Sequence, residues 1–304
     1  MDLYKIKSVL KENVFYNITY CYNANQLEVF RILVALFAII SMFTLVLDYD
    51  VFFAPNGIVN WEVSNANALW FECHPQKIAD LLHVSPQYVM ITILTVYFLS
   101  LGTLLLGIWT RLSAIICLIT FTLITNVMSS FAFGVDIYQS VCFFFLTIFP
   151  TGYSLSLIKK DNYPSLNEIK QICIRVLQLY LIITYISAGF EKAFMLNWWN
   201  GRFIYFLSND PTIMTTSFFP KGQNILFYAF FGIMVVLIES SYFLLVWFKK
   251  TRLYIILIII SMHLFIALFM DLLFFGLLLI VLNVVCWYPV LFANLKLKEN
   301  DKCI

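Results

Sequence analysis

Long apolar runs, each close to the length of a membrane-spanning helix, alternate along this sequence with short polar joints, and the lysines and arginines fall almost entirely in every second joint. A bilayer core roughly 30 Å thick is crossed by about 20 apolar residues in a helix. Eight runs meet or approach that length, at about 28–48, 88–109, 112–131, 137–150, 172–194, 224–248, 253–270 and 272–292. They are continuously apolar instead of alternating in and out, which argues against a β-barrel. With 62% hydrophobic and 12% charged residues, the chain has too little polar surface to cover a water-soluble globule. The expected fold is therefore all-α, a polytopic membrane helical bundle of about eight transmembrane helices with two longer outer loops. No repeat or linker divides it, so residues 1–304 read as a single membrane domain.

The first run follows a polar segment of more than twenty residues, and no small-residue cleavage site comes after it, so it reads as a true span and not a removable signal peptide. If the N-terminus is cytoplasmic, the inner segments hold Lys5, Lys7, Lys11, Arg111, Lys159, Lys160, Lys170, Arg175, Lys249, Lys250, Arg252, Lys296, Lys298 and Lys302, which are 14 of the 19 basic residues. The positive-inside rule then puts residues 1–27 and the tail 293–304 in the cytoplasm and the protein in the plasma membrane as a multi-pass chain. The lipid bilayer is its first partner. A net charge of +2, dispersed in this way, argues against nucleic acid as another.

Sorting the seven cysteines by side leaves only Cys73 on the outer face, so no internal disulfide is expected. Of three histidines, His74 and His83 lie in a loop and His263 in a span, and no ligand spacing for a metal emerges. The outer loops, 49–87 and 195–223, carry Trp61, Trp70, Trp198 and Trp199 among prolines, glycines and asparagines. Such tryptophans serve either as headgroup anchors or as parts of a lid.

Ionisable groups in hydrocarbon must pair or face water, which makes them the functional candidates of a membrane sequence. Glu28 and Arg31, three residues apart, read most simply as a structural helical pair. Asp136 opens the fourth run, Glu191 and Lys192 close the fifth, and Asp271 marks the turn before the eighth, so all four fall on the outer side. His263 lies about mid-depth in the seventh run and Glu239 past the middle of the sixth. Each has a bland alternative: a packing hydrogen bond for Glu239, a satisfied interior imidazole for His263, and snorkelling for Lys192. Side chains of adjacent helical residues diverge by about 100°, so Glu191 and Lys192 cannot both face one partner. A lysine desolvated in an apolar cavity can also act as a general base. On this reading Lys192, Glu191 and His263 are the catalytic candidates, and Asp136, Glu239, Trp199 and Asp271 the candidates for holding substrate.

The stretch YLIITYISAGFEKAFMLNWWNGRFIYFLSND, Tyr180 to Asp210, resembles the signature of the horizontally transferred transmembrane domain family, which includes the vitamin K-dependent γ-glutamyl carboxylases. Gly189, Lys192, Trp199 and Gly201 fill the places of its glycine, basic residue, tryptophan and glycine. The opening FRILVALF, the LLLGIWTRL turn, Glu239 and MHLFIALFMDLLFFG extend the resemblance over nearly the whole chain. Within the family the chain is most similar to the sporulation-delaying toxin maturation membrane proteins, through Glu191 and the Asn209-Asp210-Pro211 end of the motif. The resemblance implies a protein that helps turn a secreted precursor into an active antibacterial peptide, together with a partner maturation protein. It also implies, as the enzymatic alternative, a reduced quinone deprotonated by Lys192. One departure is Gly134-Val135-Asp136, where the carboxylases carry a histidine. A transporter or immunity protein, with Glu239 and His263 on a proton path, is the third class.

Overall fold

A computed structural model describes residues 25–68, 72–129, 133–158, 165–210, 222–270 and 272–292. Among them no strand occurs, and helices form the fold. In chain order these are α1 (Gln26–Leu47), α2 (Tyr49–Phe52), α3 (Trp61–Asn67), α4 (Pro75–Leu82), α5 (Pro86–Leu106), α6 (Thr110–Val127) and α7 (Gly134–Ile148). They continue with α8 (Leu166–Phe194), α9 (Leu196–Trp199), α10 (Arg202–Asn209), α11 (Ile225–Leu245), α12 (Lys249–Phe269), α13 (Leu273–Cys286) and α14 (Tyr288–Leu291). Segments 1–24 and 293–304, which hold most of the two cytoplasmic ends expected from charge, lie outside the described residues, as do Trp70 and Asp271.

Six helices, α1, α5, α6, α8, α11 and α12, are long and apolar enough to cross a membrane, while α7 and α13 are shorter apolar helices. Their outward faces stay apolar: Ile40, Leu99, Ile119, Ile183 and Leu237 are all more than half exposed. A helix bathed in water would carry polar residues there, so lipid is the solvent and the chain is a multi-pass membrane protein. Of the eight runs expected from the sequence, the eighth is the most altered. Its helix α13 stops at Cys286, and the chain restarts at α14 with Pro289 in the first turn. Proline donates no amide and disfavours a helical residue before it, which is why the run 272–292 is not one continuous helix. The two longer loops are not featureless, since α2, α3 and α4 fall in one and α9 and α10 in the other.

The helices gather into two compact units, one over Leu27–Lys170 and one formed chiefly by residues from Gln171 onward. In the first, the first turns of α1 bring Glu28 and Arg31 onto one face, with Nε 3.1 Å from Oε2 and both side chains fully buried. A bare ion pair in so dry a place would be unfavourable unless its remaining hydrogen-bonding capacity were filled. It is filled by backbone. Glu28 accepts the amides of Gly152 and Tyr153, each at 2.9 Å, and Arg31 donates to the carbonyls of Leu104, Leu105 and Leu155. Leu104 and Leu105 belong to the last turn of α5, whose carbonyls lack the regular partner four residues on and carry a partial negative charge, so the guanidinium, together with the Gly107 amide on Leu104, satisfies both needs. Gly152 reaches Glu28 with φ +87°, and a Cβ there would crowd the Thr110 side chain. Beyond this clamp, the rings of Tyr97, Phe121 and Phe143 knit α5, α6 and α7 together, and Gln139 donates to the Tyr97 hydroxyl at 3.0 Å.

The loop between α1 and α5 is organised by His74, which is fully buried against the edge of Trp61. Its Nδ1 accepts the Gln76 amide at 3.0 Å, capping α4, so Nε2 carries the proton and donates to Ser64 Oγ at 2.8 Å. Burial first, and the Lys77 charge second, hold this imidazole down at about 4. Protonation would place a second N–H against the Gln76 amide.

Two outcomes follow. Replacing Arg31 by alanine leaves Glu28 without its counter-charge and should lower stability by about 3–5 kcal/mol, read as thermal unfolding in detergent micelles. A loss within the range of an ordinary surface substitution would contradict the clamp. An unfolded histidine protonates near 6.5. The stability contributed by neutral His74 is therefore complete above that pH and is lost as pH falls toward about 4, visible as smaller amide protection factors in α3 and α4.

Candidate functional site

The second unit holds the site. Gly189 and Lys192 are three residues apart on α8 and so lie on one face of it. At Gly189 a Cβ would come within 2.6 Å of the Ser240 amide nitrogen, so here the backbones of α8 and α11 touch. Ser240 follows Glu239, and this close approach lets Lys192 span the remaining gap. Its Nζ lies 2.7 Å from Glu239 Oε2. The spacing of glycine and lysine is thus a geometric requirement of the pair. Glu191, turned about 100° away on the same helix, is exposed.

The pair is unevenly accessible, with the Lys192 side chain 22% exposed and that of Glu239 7%. Lys192 also donates to the Ala188 carbonyl at 3.4 Å, and its Nζ sits 5.4 Å from the centre of the Trp198 ring. Trp198 is buried and stacks on Phe203 at 4.2 Å, so a rigid aromatic plate flanks the ammonium. Trp199, the tryptophan of the sequence motif, has a different place. It is partly exposed and donates Nε1 to the Ala193 carbonyl at 2.7 Å, closing the end of α8. Gly201 follows in the left-handed region at φ +77° and starts α10.

His263, on α12, is 2% exposed. Its Nε2 is 2.8 Å from the Tyr185 hydroxyl on α8. From there a hydrogen-bonded chain runs through Asn283 of α13 to Tyr242 of α11 and on to Trp287, with links of 2.7, 3.0 and 2.8 Å. The rings of Tyr185 and Tyr242 lie 4.4 Å apart. This chain ties α8, α11, α12 and α13 together beneath the ion pair with polar groups that are otherwise costly in hydrocarbon.

The remaining sequence candidates fall elsewhere. Asp136 belongs to the first unit, where its carboxylate accepts the Phe133 amide at 2.8 Å and caps α7. Asp271 lies outside the described residues. The structure thus joins Lys192 to Glu239 and ties His263 to α8 through Tyr185. Sequence reasoning missed Trp198, Tyr185, Tyr242, Asn283 and Trp287 as members of the site. For Asn283 a signal was present, a lone amide inside the run LLLIVLNVVC. For the tyrosines there was none, because 17 of them are spread along the chain. Among the described residues no three His, Cys, Asp or Glu side chains gather in a group able to hold a metal ion.

Comparison of the sequence with protein-family models and curated proteins, and of the fold with solved structures, finds no match.

The contact at Gly189 has a measurable consequence. Gly189→Val should force α8 from α11 and cost about 1–3 kcal/mol, as overpacking does. It should also break the ion pair, so that the valine variant no longer loses stability when Glu239 is changed to glutamine. Undiminished sensitivity to Glu239→Gln in the valine background would show that the helices do not meet there.

Proposed function

We propose that this protein is a plasma-membrane maturation factor of the horizontally transferred transmembrane type, with both termini in the cytoplasm, that acts on a secreted peptide at the Lys192–Glu239 pair. The observation that carries the reading is the pair itself. The motif glycine brings two helices into contact, and the motif lysine reaches a carboxylate on the second helix at 2.7 Å. The distribution of basic residues supports the orientation, which puts the end of α8 that bears Lys192 on the outer side.

An ammonium donating to a carboxylate is a cation held in place, and the one N–H left after Glu239 and the Ala188 carbonyl can orient an oxygen acceptor on the peptide. Trp198 fixes the direction from which that acceptor approaches. This arrangement favours an orienting cation over a general base, with part of the chemistry supplied by a partner maturation protein. Arginine can replace a cation but not a base, which separates the two roles.

The test is a mass-spectrometric comparison of culture supernatants from cells carrying the native protein, Lys192→Ala or Lys192→Arg, at matched membrane levels. A mature peptide should be present with the native protein, lost with alanine and retained with arginine. Loss with both variants would assign Lys192 the role of a base. Identical peptide profiles in all three would overturn the proposal.

A further inference from the structure

The hydrogen-bonded chain beneath the ion pair has a direction, and its two ends determine it. At one end the Trp287 indole can only donate, so the Tyr242 oxygen accepts from it. In the middle, Asn283 lies 2.8 Å from the Leu279 backbone carbonyl, which can only accept. The atom facing that carbonyl must therefore be Nδ2, which fixes the orientation of the amide. Its Oδ1 then faces Tyr242 and takes that hydroxyl's hydrogen at 3.0 Å, in agreement with the demand from the indole. The second hydrogen of Nδ2 goes to the Tyr185 oxygen at 2.7 Å. A phenol oxygen has two favourable in-plane directions, one for its lone pair and one for its own hydrogen. Asn283 occupies the first, and His263 Nε2, at 2.8 Å, stands in the other.

We infer that Asn283 acts through Tyr185 as a positioning residue that holds His263 as the neutral tautomer with its proton on Nδ1, and so makes His263 a fixed donor for a carbonyl oxygen of the peptide substrate. Among the described residues His263 Nδ1 has no hydrogen-bond partner, although the residue is almost wholly buried. A buried N–H in that condition calls for an acceptor. A neutral carbonyl suits it better than a carboxylate, whose full charge would need its own counter-ion in this apolar setting. The tautomer is argued from the hydrogen bonds of Asn283, Tyr185 and His263. The identity of the carbonyl rests on the reading of the site as one that accepts a peptide.

The arrangement sets His263 apart from a proton carrier. An amide cannot pass a proton as a hydroxyl can, so Asn283 orders the chain without conducting along it. His74 supplies an internal contrast, because its Nδ1 accepts an amide and its proton must sit on Nε2. The two buried histidines are thus assigned opposite tautomers.

With three histidines in the chain, long-range proton–nitrogen NMR of the full-length protein, labelled with ¹⁵N-histidine and held in detergent micelles, can resolve both. At neutral pH His263 should show a protonated Nδ1 and a bare Nε2, and His74 the reverse. Asn283→Asp replaces the donor by a second acceptor. Tyr185 should then donate to the new carboxylate, and the His263 proton should move to Nε2 while His74 stays unchanged. Should that variant fail to fold, Tyr185→Phe removes the acceptor at Nε2 and should release His263 into a mixture of tautomers. A native His263 protonated on Nε2, or on both nitrogens, would overturn the inference, as would a tautomer indifferent to both variants. A carbonyl role further requires that His263→Leu abolish the mature peptide in the supernatant. Tautomers as assigned together with an unchanged peptide would refute the carbonyl role alone. Failure of the Lys192 variants to alter the peptide would count against the maturation reading and leave the tautomer assignment standing.

Discussion

A charge taken out of water must bring its own solvation with it, and each unit of this protein is arranged around one instance of that constraint. In the first, Glu28 and Arg31 are fully buried, and backbone groups from the end of α5 and the segment after α7 complete their hydrogen bonding. Every charge-bearing atom there is committed, which is what a clamp needs. In the second, Lys192 and Glu239 are joined by one short contact, and the ammonium keeps one donor to spare and some access to the surroundings. The same physical demand thus yields a closed pair that holds helices and an open pair that can engage something else.

The polar residues around the open pair rely on shape as much as on charge. Gly189 permits the approach of α8 to α11, and a side chain of any size would separate the partners. Trp198 supplies a plate beside the ammonium, and Tyr185, Asn283 and Tyr242 brace the four helices below it. Rigid bracing of this kind keeps a binding group in place while lipid, a soft solvent, surrounds the unit.

Much of this was legible in the sequence, and the limits have physical causes. Length and apolarity reveal α1, α5, α6, α8, α11 and α12 because a membrane imposes both on every crossing helix. The same signal overreached at 272–292, where continuous apolarity conceals the break before Pro289. Lys192, Glu239 and His263 stood out because ionisable groups are scarce in spans. Asp136 stood out for the same reason, yet in its own unit it works as a helix cap, a role that composition cannot separate from chemistry. Trp198 and Trp199 show the finest limit. They are adjacent and chemically identical, and only the turn of α9 decides which one meets the ammonium.

The unequal exposure of Lys192 and Glu239 carries one more consequence. Because the carboxylate lies deeper than the ammonium, anything arriving at the pair encounters the positive member first. That order of encounter comes from nothing more than the depth at which two side chains end.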